Sequence, residues 1–224
     1  MWLYTLIPVA VAVAGGVFTL VRPPGPKFTS AVQHVAAGVI FAAAAGELLP
    51  DAIRRGTILP VVAGAIAGVA AMLGLRLVEK LTSGPIGLIG ASAVDALIDG
   101  MVLGLGFAAG EKQGLLLAIA LAVEFLFLGV SIAASLKSPS GPLLLGTTAG
   151  VSAMVPAGSL VAGPISNASA FFQTAAYAFG LIALLYLAVE ELMVEAHEIE
   201  DTPWITAMFF VGFIALTVLD VALG

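Results

Sequence analysis

Residues 86–136 read IGLIGASAVDALIDGMVLGLGFAAGEKQGLLLAIALAVEFLFLGVSIAASL. Two apolar runs, each above the roughly 20 residues that carry a helix across a hydrocarbon core of about 30 Å, flank the polar turn Gly110 to Gly114. So short a turn makes the two helices antiparallel neighbours. Three acids stand inside them: Asp95, Asp99 and Glu124. Asp95 and Asp99 are spaced i, i+4, which sets both on one helical face with Cβ atoms about 5–6 Å apart. Asp99 lies eleven residues from Gly110 and Glu124 ten from Gly114, so the depths match. The spacing predicts three carboxylates converging on one point from two helices.

The rest of the chain is of the same kind. Its 224 residues are 61% hydrophobic and 10% charged, with a mean hydropathy of +1.15, whereas a soluble domain is about 25% charged. Eight spans are predicted: Trp2 to Val21, Ala31 to Leu49, Ile58 to Leu75, Ile86 to Ala109, Leu115 to Leu136, Leu143 to Ala162, Ala168 to Met193, and Trp204 to Leu223. Between them stand helix breakers such as Arg22 to Lys27, Ser83-Gly84-Pro85 and Ser138 to Pro142. The fold class expected is an all-α membrane protein, a bundle of eight transmembrane helices forming one transmembrane domain over residues 1–224. The first stretch lacks a basic n-region and a small-residue cleavage site, so it reads as a retained span. With the N-terminus outside, Arg22, Lys27, Arg76, Lys80 and Lys137 fall on inner loops and Arg54, Arg55 and Lys112 on outer ones. That asymmetry leans towards both termini outside.

Glu47-Leu48-Leu49-Pro50-Asp51-Ala52 closes the second span and Glu191-Leu192-Met193-Val194-Glu195-Ala196 closes the seventh. These two helices run in opposite directions, as an inverted-topology repeat requires. Small residues crowd several spans, including Gly64 with Gly68, and small side chains in lipid let helices pack closely.

Of the 14 acidic residues, Glu47, Asp95, Asp99, Glu124, Glu190, Glu191 and Asp220 fall within or at the ends of the spans, and no Lys or Arg falls in a span interior. A lone mid-membrane carboxylate costs at least about 2.5–3.5 kcal/mol. Several together call for protons, water or a bound cation, and a cation site is the economical answer. With no cysteine in the chain, thiolate ligands are excluded, and an oxygen set suits Mn²⁺, Mg²⁺ or Ca²⁺, with Fe²⁺ and Zn²⁺ open. Glu190 and Glu191 point about 100° apart, so one of them faces the pathway. Asp220 reads as an interfacial acid. His34, opening the second span, reads as an interfacial histidine. His197, among Glu195, Glu198, Glu200 and Asp201, belongs to a solvated loop or a weak metal-collecting vestibule. Nucleic acid is no partner, because no basic patch with interleaved aromatics exists. An enzyme is not expected: intramembrane aspartyl proteolysis needs its two aspartates on different helices, and Asp95 and Asp99 share one.

These motifs, in their order, resemble the ZIP (Zrt/Irt-like protein) family of divalent metal transporters. His34 to Ile40 followed by Glu47 to Ala52 is similar to the family's second helix, and Asp95-Ala96-Leu97-Ile98-Asp99-Gly100 to its fourth-helix motif. Glu124 to Gly129 falls where the fifth helix carries its ligands, Glu190 to His197 resembles the seventh helix's ending, and Val218 to Gly224 the family's C-terminus. The resemblance implies a transporter that moves a divalent cation (Zn, Fe, Mn or similar) as substrate through a mid-membrane site. Asp95, Asp99 and Glu124 would be its ligands, and Glu47 and Glu191 would line its path. Asp95 stands in place of a histidine, Asp99 keeps the bridging acid, and Glu124 replaces His or Gln. Leu128, Ala96, Phe125 and Val155 replace ligands of a second site, so a mononuclear site is expected. The alternative reading is a degenerate, non-transporting member acting as a membrane metal sensor or scaffold. The partners expected are a divalent cation and the lipid bilayer, and a homodimer is left open.

Overall fold

The computed structural model describes residues 2–55, 57–82, 84–136, 140–200 and 202–224, the side chains of Trp2 and Arg55 excepted. Ser83, Lys137, Ser138, Pro139 and Asp201, which the sequence placed in connections, lie outside the described residues. Eight helices are long and apolar enough to cross a membrane: α1 (Leu3–Val21), α2 (Pro26–Arg54), α3 (Ile58–Leu81), α4 (Pro85–Ala109), α5 (Glu111–Ser135), α6 (Gly141–Ser166), α7 (Ala170–Ala196) and α8 (Pro203–Ala222). This is the all-α architecture that the apolar runs predict.

Prolines open every even-numbered helix, Pro26, Pro85, Pro142 and Pro203 each standing in a first turn where the missing N–H is no loss. Two helices change pitch. In α2 the segment Ala44–Leu48 is a π-helix, directly ahead of Pro50, whose ring would otherwise press on the carbonyl one turn back. In α7 the segment Leu187–Leu192 is a π-helix holding Glu190 and Glu191. α6 is built of three helical pieces, Gly141–Ser152, Met154–Ser159 and Ala162–Ser166, with Pro156 and Pro164 among them.

Several helices run past the sequence boundaries. α2 continues through Pro50 to Arg54, and α3 continues from Leu75 to Leu81. The charged side chains that suggested an earlier stop lie where they reach the interface, so apolar residues between them, such as Leu77 and Val78, prolong the helix. As a result, Arg76 belongs to a span.

The principal packed pairs are α1 with α5, α2 with α8, α3 with α7, and α4 with both α5 and α6. Glycine sets the approach in each. A methyl at Gly129 would meet the Ala12 carbonyl, at Gly38 that of Phe209, at Gly64 that of Ala175, and at Gly100 that of Val155. Backbones this close gain van der Waals contact that lipid cannot supply. Large apolar side chains on α1, α3 and α8, including Leu3, Ile66 and Phe210, are exposed on the surface that lipid would cover.

Tyr4 stacks on Phe107 with ring centroids 5.2 Å apart, and Lys112 pairs with Asp220 at 2.8 Å. The start of α1, the α4–α5 turn and the end of α8 therefore share one face, here the terminal face. The ends of α3 and α7 and the start of α2 meet at the far face, where Ser30 Oγ donates to the Ala196 carbonyl at 2.8 Å.

Candidate metal centre

Asp95 and Asp99 come from one face of α4, and Glu124 from the middle of α5. Each offers a carboxylate oxygen, and the three oxygens lie within 4.8 Å of one another. Asp99 is 2% exposed and Glu124 6%, and their side chains interact directly. Asp99 Oδ2 and Glu124 Oε2 are buried without a hydrogen-bond partner. Among the described residues no Lys or Arg forms an ion pair with any of the three. Convergence from two helices at one depth is what the sequence spacing predicts.

Such a group fits a cation. At metal–oxygen distances of about 2.0–2.6 Å, ligands on opposite sides of one ion sit up to roughly 5 Å apart, so the spacing needs only small side-chain movements to close on an ion. Buried lone pairs with no donor are an expensive arrangement that a bound cation removes. Val155 occupies the position where the resemblance implies another acid. It is fully buried and its backbone abuts Gly100. Phe125 is 1% exposed and Ala96 likewise 1%, so the neighbouring volume is filled by carbon.

A cleft of about 200 Å³ opens at the far face and reaches Asp95, lined also by Arg76, Glu79, Ser92, Glu191 and Glu195. Glu190 is exposed and pairs with Arg76 at 3.0 Å, which corrects the reading that the acids in the spans have no basic partner; the same holds for Asp220 with Lys112. Both pairings follow from helices longer than the predicted spans, which bring Arg76 and Lys112 alongside. Glu191 is half-buried and close enough to act electrostatically on Asp95, Asp99 and Glu124. Of the adjacent pair, it is the one directed at the centre.

Glu47 is elsewhere. It is 7% exposed and shares a cavity of about 260 Å³ with Asp220 on the terminal-face side, where its charged neighbours are Asp220, Lys112 and Asp51. Between the two cavities, Leu48, Val102, Leu103 and Leu121 are all 0% exposed. Hence the carboxylate group is reached from the far face and sealed by an apolar layer towards the terminal face.

Sequence reasoning missed Glu79 as a cleft residue, whereas Glu195, read as part of a solvated loop or a vestibule, does line the cleft. The apolar Leu77, Val78 and Leu81 beyond Arg76 carried the signal that α3 continues. It also misplaced His34, which is 0% exposed rather than interfacial, because α2 begins at Pro26 and sinks His34 two turns into the bundle. Neither the known protein families nor the curated proteins contain a match to this chain.

Proposed function

We propose that the protein carries a divalent metal cation across a bilayer, the ion binding between α4 and α5 on Asp95, Asp99 and Glu124. The observation that carries this reading is the buried group of three carboxylate oxygens within 4.8 Å, with no basic partner among the described residues and an acid-lined cleft leading to it. Three carboxylates compensate a divalent ion fully, and with no sulfur or nitrogen donor the set favours harder ions of the Mn²⁺ type while accepting Fe²⁺ and Zn²⁺. Glu191 draws the ion from the cleft, and Glu47 lies on the continuation of its path beyond the apolar layer.

A divergent member of the ZIP family is the reading that accounts for the order of the motifs. An inverted repeat belongs to the proposal: exchanging α1 with α6, α2 with α7, α3 with α8 and α4 with α5 converts the α1–α5 pairing into α6–α4 and the α2–α8 pairing into α7–α3. The two echoed segments moreover each begin in the last two residues of a π-helical stretch, Glu47-Leu48 and Glu191-Leu192, and continue as α-helix. Transport then proceeds by rocking that closes the far-face cleft and parts the layer of Leu48, Val102 and Leu121. With termini outside, the cleft faces inward. Uptake of a panel of divalent ions by the purified protein in liposomes tests the proposal. Flux of at least one ion above that of empty vesicles supports it, and its absence for every ion moves the protein to the sensor or scaffold class.

A further inference from the structure

α8 is held to the bundle unevenly. It packs chiefly on α2, where a methyl at Gly38 would meet the Phe209 carbonyl and one at Gly212 the Val35 carbonyl. Nearer the terminal face the same two helices flank the cavity of about 260 Å³, Glu47 lining it from α2 and Phe213, Leu216 and Asp220 from α8. There the end of α8 is tied to a different helix. Lys112 Nζ, in the first turn of α5, lies 2.8 Å from Asp220 Oδ1. α5 packs on α1 and α4 and little on α8. The ion pair therefore joins two helices that packing leaves nearly separate, whereas Arg76 and Glu190 join α3 and α7, which already pack together.

The surrounding charges suit a clasp that opens. Glu47 is 7% exposed, lines the same cavity and has Asp220, Lys112 and Asp51 as its charged neighbours. With Lys112 in place, one ammonium offsets acids on both α2 and α8. With it withdrawn, Glu47 and Asp220 as ions repel across the cavity and favour separation of its walls. The side chains of Lys112 and Asp220 are 29% and 38% exposed, and an ion pair in contact with water is weak enough to break and re-form in each cycle. A pair of that strength biases a two-state equilibrium by up to about fivefold.

We infer that Lys112 and Asp220 form a latch on the terminal face. The pair holds the end of α8 to the α4–α5 turn while the far-face cleft is open, and it parts when the layer of Leu48, Val102 and Leu121 opens towards the Glu47 cavity. Interface ion pairs that repack between two states act in this way. The latch rests on the proposed function in one respect, that the two faces open in turn. Lys112 is a positioning residue: it acts through Asp220 and needs no metal to do so.

The chain has no cysteine, and Val102 and Leu48 are 0% exposed, so a single cysteine placed in the layer reports its opening. The full chain carrying Val102→Cys is reacted in detergent, without metal, with a charged thiol reagent. Adding Lys112→Gln should raise the rate about two- to fivefold. Adding Lys112→Asp together with Asp220→Lys, which rebuilds the pair with its charges exchanged, should return the rate to that of Val102→Cys alone. Leu48→Cys gives the same reading should Val102→Cys fail to fold. An unchanged rate in Lys112→Gln, or a charge-exchanged protein as reactive as Lys112→Gln, overturns the latch. Neither metal nor flux enters this measurement, so that result leaves the carrier reading standing, and a failure of flux in liposomes leaves the latch to be decided by reactivity.

Discussion

Asp99 and Glu124 face each other from two spans that are joined by the single residue Gly110. Asp99 stands 11 residues before that turn and Glu124 14 after it, and the two buried carboxyls meet between the helices, with an oxygen of each left unsatisfied. Asp95, one turn from Asp99, completes the group.

Replacing a ligand should change which ion is preferred. Asp95→His puts an imidazole among two carboxylates and should move preference from Mn²⁺ towards Zn²⁺, since a softer nitrogen donor suits the latter. Competition between the two ions for parent and variant is the check, and an unchanged profile would remove Asp95 from the ligand set.

One ion is expected at mid-membrane. Ala96, Phe125 and Val155 are buried carbon where further donors would have to stand, and a divalent ion does not give up its water to apolar side chains. In Mn²⁺ titrations of detergent-purified protein, the parent should bind one tight ion more than Asp99→Ala. A difference of two would show a binuclear centre.

Metal affinity should fall as pH falls. Carboxylates ligate in the ionised form, so protons compete with metal at low pH, and loading at a pH where protons are still held releases them. Glu124→Gln removes one titrating member and should change the slope or midpoint of affinity against pH. A flat parental curve, or superimposable curves for parent and variant, would contradict an all-carboxylate centre.

Packing is open to a separate test. Gly38→Ala drives a methyl into the Phe209 carbonyl and should destabilise the protein by about 1–3 kcal/mol. Gly74→Ala, where a methyl meets open space, should not. Thermal unfolding in detergent measures both; equal midpoints for the two variants would show that α2 and α8 are not held in this contact.

Much of this arrangement is legible in the chain because a bilayer imposes length and apolarity on every span. The i, i+4 spacing of Asp95 and Asp99 and the shortness of the turn at Gly110 are enough to bring the carboxylates together. Helix ends were less legible. Arg76 and Lys80 read as loop because charge stops a hydropathy window, yet long basic side chains at a helix end reach the interface and let the helix continue. Which of Glu190 and Glu191 faces the centre depended on a π-helical turn that shifts the angular register, and no sequence period reports it. The burial of His34 depends on tertiary docking of α2 on α7, which local pattern does not encode.

Flux through liposomes containing purified parent or Asp99→Ala protein bears on the mechanism as a whole. Both proteins should reconstitute equally and unfold at similar temperatures, since the substitution removes a buried acid without filling space. The parent should take up at least one divalent ion, with Mn²⁺ the first to try, and Asp99→Ala should fall to the rate of empty vesicles. Uptake by Asp99→Ala at the parental rate would show that the ion does not pass through the carboxylates between α4 and α5.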